Sequence, residues 1–297
     1  MMHKSGYMPV NISRRKTSFL ICILISICCA VMPFSAALAQ GSLLISPKRI
    51  VFEGNKKTHE LNLANTGTDT ARYLISIKEI RMTEDGAFEE IMQPDPGQNF
   101  ASKFLRFFPR SVTLAPNEAQ SIKVQLIKTN ELQPGEYRSH IYFRAIPNEK
   151  PLGENDVKAA DTSISVQLIP VFGITIPAII RVGESTTKVT LSDLAFQMAG
   201  DTMPRVAMAL NRTGNMSAYG DILVTFTGSD GKTVEVGSAR GVAIYTPNTK
   251  RRFAFDLNRD SGVKFTKGKL HVMYTKQVEG KTPEGDDILA EAEITLP

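Results

Sequence analysis

Beyond residue 39 the chain has no cysteine, and it has no tryptophan anywhere. The three cysteines, Cys22, Cys28 and Cys29, all fall in the first 39 of 297 residues. For the remaining body this excludes a disulfide framework, a thiolate zinc site and a cysteine nucleophile. Its histidines are only His59, His140 and His271, so imidazole catalysis and metal ligation have few candidates. Acidic residues are absent from residues 1–39, where four of the 35 Lys and Arg residues lie, which leaves the body with 31 basic and 30 acidic side chains. The net charge of +5 thus belongs largely to the leader, and the balanced body has no bias toward bulk nucleic acid. Nucleophile elbow and glycine-rich phosphate loop are both missing. Asp85, Glu89 and Glu90, and likewise Asp286 and Asp287, lack calcium-loop spacing and read as solvated hairpin tips. His140 reads as a strand-face residue. No enzyme, cofactor, metal or small-molecule substrate is expected. A sugar-binding module is disfavoured by the shortage of aromatics for stacking.

What is present begins with a leader. Arg14-Arg15-Lys16 precedes the apolar run Ser18–Phe34, which Pro33 interrupts and Ala37-Leu38-Ala39 follows. Positive region, apolar region and small-x-small site stand in the order of an export signal cut after Ala39. The run is short for a membrane span of ~20 residues. Residues 1–39 are therefore expected to be a signal peptide, and the mature chain to be periplasmic.

The body alternates with period two, the signature of half-buried strands. Leu61 and Leu63, Tyr73, Ile75 and Ile77, Ile122, Val124 and Leu126, and Ile141 and Phe143 supply the apolar positions. Turn signals such as Asn65-Thr66-Gly67, Glu84-Asp85-Gly86 and Gln133-Pro134-Gly135 separate them. No sustained helical stripe occurs, and the expectation is an all-β sandwich or barrel. A polar loop, Asn148–Thr162, leads into the most apolar segment, Ile164–Ile180, read as one long strand whose Pro170 places part of it at an edge. Arg181–Ser185 reads as a linker. Two β-sandwich-sized domains are expected, 40–181 and 184–297.

These pieces resemble the PapD-like periplasmic chaperones of chaperone–usher pilus assembly. Ser46–Gly54 (SPKRIVFEG) resembles that family's opening strand, and Glu60–Asn65 (ELNLAN) its second. Leu114–Glu118 (LAPNE) is similar to one of its turns, and Gly135–Pro147 (GEYRSHIYFRAIP) to the penultimate strand of its first domain. Asn211–Asn215 (NRTGN) and Tyr219–Asp221 (YGD) look like motifs of a divergent branch. The resemblance implies two immunoglobulin-like β-sandwich domains set at an angle. It implies a chaperone that stabilises pilus or fimbrial subunits by donor-strand complementation and delivers them to an outer-membrane usher. The lent strand would present Ile164, Val166 and Leu168. Arg49 would anchor the subunit's terminal carboxylate, with Lys48 the adjacent alternative, on the other face if the strand is regular. The second basic anchor expected in the long strand is absent from Val171–Pro177, and Arg181 is the nearest replacement. A structural or adhesive surface protein built from the same domains is the alternative.

Overall fold

The computed structural model describes residues 43–147, 171–200, 203–277 and 285–296, all within one compact unit. No α-helix occurs among them. The first strands are β1 (Leu43–Ser46), β2 (Ile50–Phe52), β3 (Thr58–Asn65), β4 (Ala71–Lys78), β5 (Ile80–Met82), β6 (Phe88–Glu90), β7 (Leu105–Phe108), β8 (Ser111–Leu114), β9 (Ala119–Leu126), β10 (Gly135–Ile146) and β11 (Gly173–Val182). They are followed by β12 (Lys188–Ala199), β13 (Met203–Thr213), β14 (Ala218–Gly228), β15 (Thr233–Ile244), β16 (Lys250–Asp256), β17 (Gly268–Thr275) and β18 (Ile288–Leu296).

Four larger sheets form, ordered β1-β3-β9-β7, β2-β11-β10-β4-β8, β12-β13-β16 and β15-β14-β17-β18. The first two close on one core. Leu61, Leu63, Ile122 and Val124 come from one sheet, and Tyr73, Ile75, Ile141 and Phe143 from the other. The period-two apolar positions thus face inward, because successive strand side chains alternate sides. Val206, Leu210, Ile222, Val224, Val272 and Tyr274 anchor a second core between the other two sheets.

Two features depart from the sequence expectation. The stretch Ser46–Gly54 is not one strand: β1 pairs with β3 in one sheet, residues 47–49 bend, and β2 joins the other sheet parallel to β11. Arg181 and Val182 belong to β11 rather than to a linker. The β5–β6 hairpin keeps Glu84, Asp85, Glu89 and Glu90 exposed, as expected. Its tip reaches β16, where the Arg252 amide donates to Glu84 O at 2.8 Å, and Asn248 Nδ2 donates to Met82 O at 2.7 Å. Residues 1–39, read as a signal peptide, residues 148–162, read as a polar loop, and the apolar residues before Val171 lie outside the described residues.

Candidate functional site

A cleft of about 1130 Å³ opens between the two sandwiches, and Lys48, Arg49 and Arg181 all line it. Lys48 and Arg49 share this cleft because they sit in the bend between β1 and β2, where the alternation of a regular strand does not apply. From the second sandwich come Tyr219, Lys188 and Lys276.

Arg49 is held from the side of the second sandwich. Its guanidinium carbon lies 4.1 Å from the centroid of the Tyr219 ring, a cation–π distance. Its Nε is buried without a hydrogen-bond partner, and no ion pair to it occurs among the described residues. Burial pushes its pKa below the usual value, Arg181 adds to the shift, and Tyr245 and Glu136 oppose it. A guanidinium nevertheless stays charged in a protein. The cleft therefore contains a desolvated cation with unused donor capacity.

Arg181 is in a different state. Its Nε lies 3.2 Å from Glu136 Oε2, and its Nη2 donates to Ser217 O at 2.8 Å. Glu136 is buried and also accepts from the Ser217 amide at 3.0 Å, from Thr246 Oγ1 at 3.3 Å and from Ser217 Oγ. This network joins β10 and β11 of the first sandwich to residues 217 and 246 of the second. A second buried arginine, Arg138, donates to Ile80 O at 3.1 Å and Thr246 O at 3.3 Å, with its guanidinium 4.5 Å from the Tyr245 ring centroid. Glu136 and Glu79 lie near these arginines, and burial pushes the Glu79 carboxyl up from its usual value. Glu53 and Asp286 also line the cleft, together with Lys48, Lys188 and Lys276. The seam thus carries an excess of positive charge, which suits an anion.

The motifs of the second sandwich build the joint. Arg212 is buried and donates to the carbonyls of Gly214 at 2.8 Å, Met216 at 2.9 Å and Asn248 at 2.9 Å. Asn215 Oδ1 accepts from the Thr186 amide at 2.9 Å, and its Nδ2 donates to Glu184 O at 2.9 Å. The run Asn211–Asn215 thereby pins the connecting segment 183–187. Asp221 accepts from the Gly241 amide at 2.8 Å and holds the strand beside Tyr219. Sequence reasoning passed over Glu136, Ser217, Tyr219 and Tyr245 as site residues. Their partners lie from 29 residues away (Thr246 for Ser217) to 170 residues away (Arg49 for Tyr219), beyond any local signal.

Beside the cleft runs β11. Ala178–Ile180 pair with Ile50–Phe52 of β2 on one flank and with β10 on the other. Gly173–Pro177 pair with β10 only, so their second flank is a free edge among the described residues. Along one face of this strand the exposure rises from 4% at Ile176 to 38% at Ile174 and 57% at Phe172. The candidate donor residues Ile164, Val166 and Leu168 lie outside the described residues.

No family model matches the chain, and no curated protein matches it. Among solved structures it is similar to a class 5 fimbriae chaperone, CfaA (16% identity, 86% of this chain and 99% of that one, TM-score 0.37). A structure described as the Salmonella enterica SafA pilin in complex with the SafB chaperone matches at 12% identity, over 88% and 99% of the two chains, with a TM-score of 0.39. The Pseudomonas aeruginosa CupB2 chaperone matches at 10% identity over 85% and 99%, TM-score 0.36. These likenesses are remote, and the functional reading rests on the residues and their geometry.

Proposed function

We propose that the mature chain is a periplasmic, non-enzymatic chaperone that binds pilus or fimbrial subunits by strand addition and passes them to an outer-membrane usher. The observation that carries this reading is the free edge of β11 at Gly173–Pro177, with apolar side chains uncovered along it, next to a cationic cleft. An unpaired edge supplies backbone donors and acceptors that a partner strand satisfies. Phe172 and Ile174 keep the even spacing of Ile164, Val166 and Leu168, so the donor face in this reading is one continuous set. Arg49 takes the subunit's terminal carboxylate, since its guanidinium has donor capacity to spare and suits bidentate binding. Arg181 orients the joint through Glu136, and Lys48, Lys188 and Lys276 add positive potential at the mouth. The domains are 40–181 and 184–297, released from the leader after Ala39.

The test is copurification of the tagged periplasmic protein, with mass spectrometry of what comes with it. Wild type should carry a pilin-type subunit. Ile174→Asp and Val166→Asp should lose it while remaining folded, because an unpartnered charge in an apolar groove costs several kcal/mol. Equal recovery with wild type and both variants overturns the proposal.

A further inference from the structure

A second free edge lies on the opposite side of the first sandwich. Among the described residues strand β7 ends its sheet and pairs only with β9. In the facing sheet, β8 covers β4 only along Ala71–Leu74. Between the two sheets at this open side is a slot of about 360 Å³. Its walls include the buried Ile75, Leu105 and Phe107, and Arg106 and Arg110 stand at its margin.

Charge and exposure single this place out. The stretch 101–128 carries Lys103, Arg106, Arg110, Lys123 and Lys128 against one acid, Glu118. None of these five cations has an ion pair among the described residues, whereas Lys78, on the neighbouring β4, pairs with Glu90. Phe108 is 76% exposed and is the register partner of Lys123. Arg106 shares the outward side of β7 with Phe108, while Leu105 and Phe107 point inward.

We propose that the β7 edge is a docking site for an extended acidic segment of a partner protein, one that alternates carboxylates with aliphatic side chains. The pattern follows from the pleat. A strand added to β7 turns one set of side chains toward the slot and the other beside Arg106 and Phe108. Apolar groups suit the first set, and carboxylates suit the second, beside Arg106 and Lys123, which form no ion pair among the described residues although Glu60 is the register partner of Lys123 on β3. This edge is distinct from β11, so the two sites are testable apart.

The experiment is fluorescence anisotropy of the mature protein with a dye-labelled peptide alternating Glu and Val over about eight residues. Comparison peptides alternate Lys and Val, segregate the same Glu and Val into blocks, or carry N-methyl groups on alternate residues. Binding is expected for the alternating acidic peptide alone and should fall as salt rises. It should weaken about tenfold or more in Arg106→Glu/Arg110→Glu and in Phe108→Ser. These residues are exposed, so the variants should keep the wild-type melting temperature. Ile174→Asp, at the other edge, should bind the peptide normally. Equal binding of the Lys peptide or the block peptide, or no effect of the three substitutions, overturns the proposal. So does variant-sensitive binding to phosphatidylglycerol vesicles without peptide binding, which would make the patch a membrane surface. Self-association of Arg106→Glu/Arg110→Glu without any peptide binding by wild type would reduce the arginines to guards against edge pairing.

Discussion

Glu136 and Arg181 are register partners on β10 and β11, and Nε of one lies 3.2 Å from a carboxylate oxygen of the other in the seam between the sandwiches. The pair also holds the second sandwich, since both side chains bond to Ser217. Removing one member of a buried pair leaves the other charge desolvated and unmatched, at a cost of roughly 3–5 kcal/mol. Glu136→Ala should therefore lower the thermal midpoint by on the order of ten degrees. Circular dichroism melts check this, and Glu136→Gln should lose less because it keeps an acceptor for Ser217.

Arg49 differs, because its guanidinium lies on Tyr219 with Nε unpartnered. Arg49→Ala removes a desolvated cation together with its stacking, and the two effects largely offset, so unfolding free energy should change by less than ~1 kcal/mol. In the proposed function the same change costs the client's carboxylate about 2–5 kcal/mol of binding. Tyr219→Leu should weaken that binding by about 1 kcal/mol by releasing the guanidinium. Titration with intact client and with client amidated at its C-terminus separates these effects.

His140 lies on the face of β10 opposite Ile141, under the edge of Phe88, and neither ring nitrogen has a partner. Burial first, and Arg138 second, push its pKa down to about 3. A group whose folded pKa is depressed below an unfolded value of about 6.5 contributes stability that is intact above that value and lost as pH falls toward the folded one. The loss between pH 7 and pH 4 is roughly 3 kcal/mol. Glu79, raised by burial, works in the opposite direction. Urea unfolding of wild type and His140→Leu at both pH values isolates the histidine, since Glu79 is common to both. Wild type should lose more than the variant.

Gly214 has φ near +90°, and a Cβ there would sit 2.5 Å from Thr186 O. Because the obstacle is backbone, Gly214→Ala cannot be absorbed by a rotamer change, and a cost of roughly 1–3 kcal/mol is expected. The connecting segment should loosen with it. Faster hydrogen exchange is expected at the Thr186 and Met216 amides, which bond to Asn215 Oδ1 and Thr187 Oγ1.

The strands were legible in the sequence because the signal is local. Leu61/Leu63, Ile122/Val124 and Ile141/Phe143 alternate with polar neighbours, and an antiparallel sandwich buries one face of each strand. The absence of sustained helical periodicity, and the turn residues, were equally local. The same alternation put His140 on the strand face opposite Ile141, where it lies, but carried no sign that the β5–β6 hairpin covers that face. Lys48 was expected on the other face only in a regular strand, and it sits in a bend where the period of two does not apply.

By itself the sequence determined the all-β class and the apolar faces, since composition and a spacing of two residues are written in the chain, while the resemblance to a known family pointed to the candidate cations Lys48, Arg49 and Arg181. Only the tertiary structure decided how those cations differ. Arg181 is neutralised by Glu136, 45 residues away, while Arg49 stacks on Tyr219 from the other sandwich and keeps its charge unpaired. Such distinctions depend on which distant groups share a low-dielectric seam, and packing alone brings those groups together.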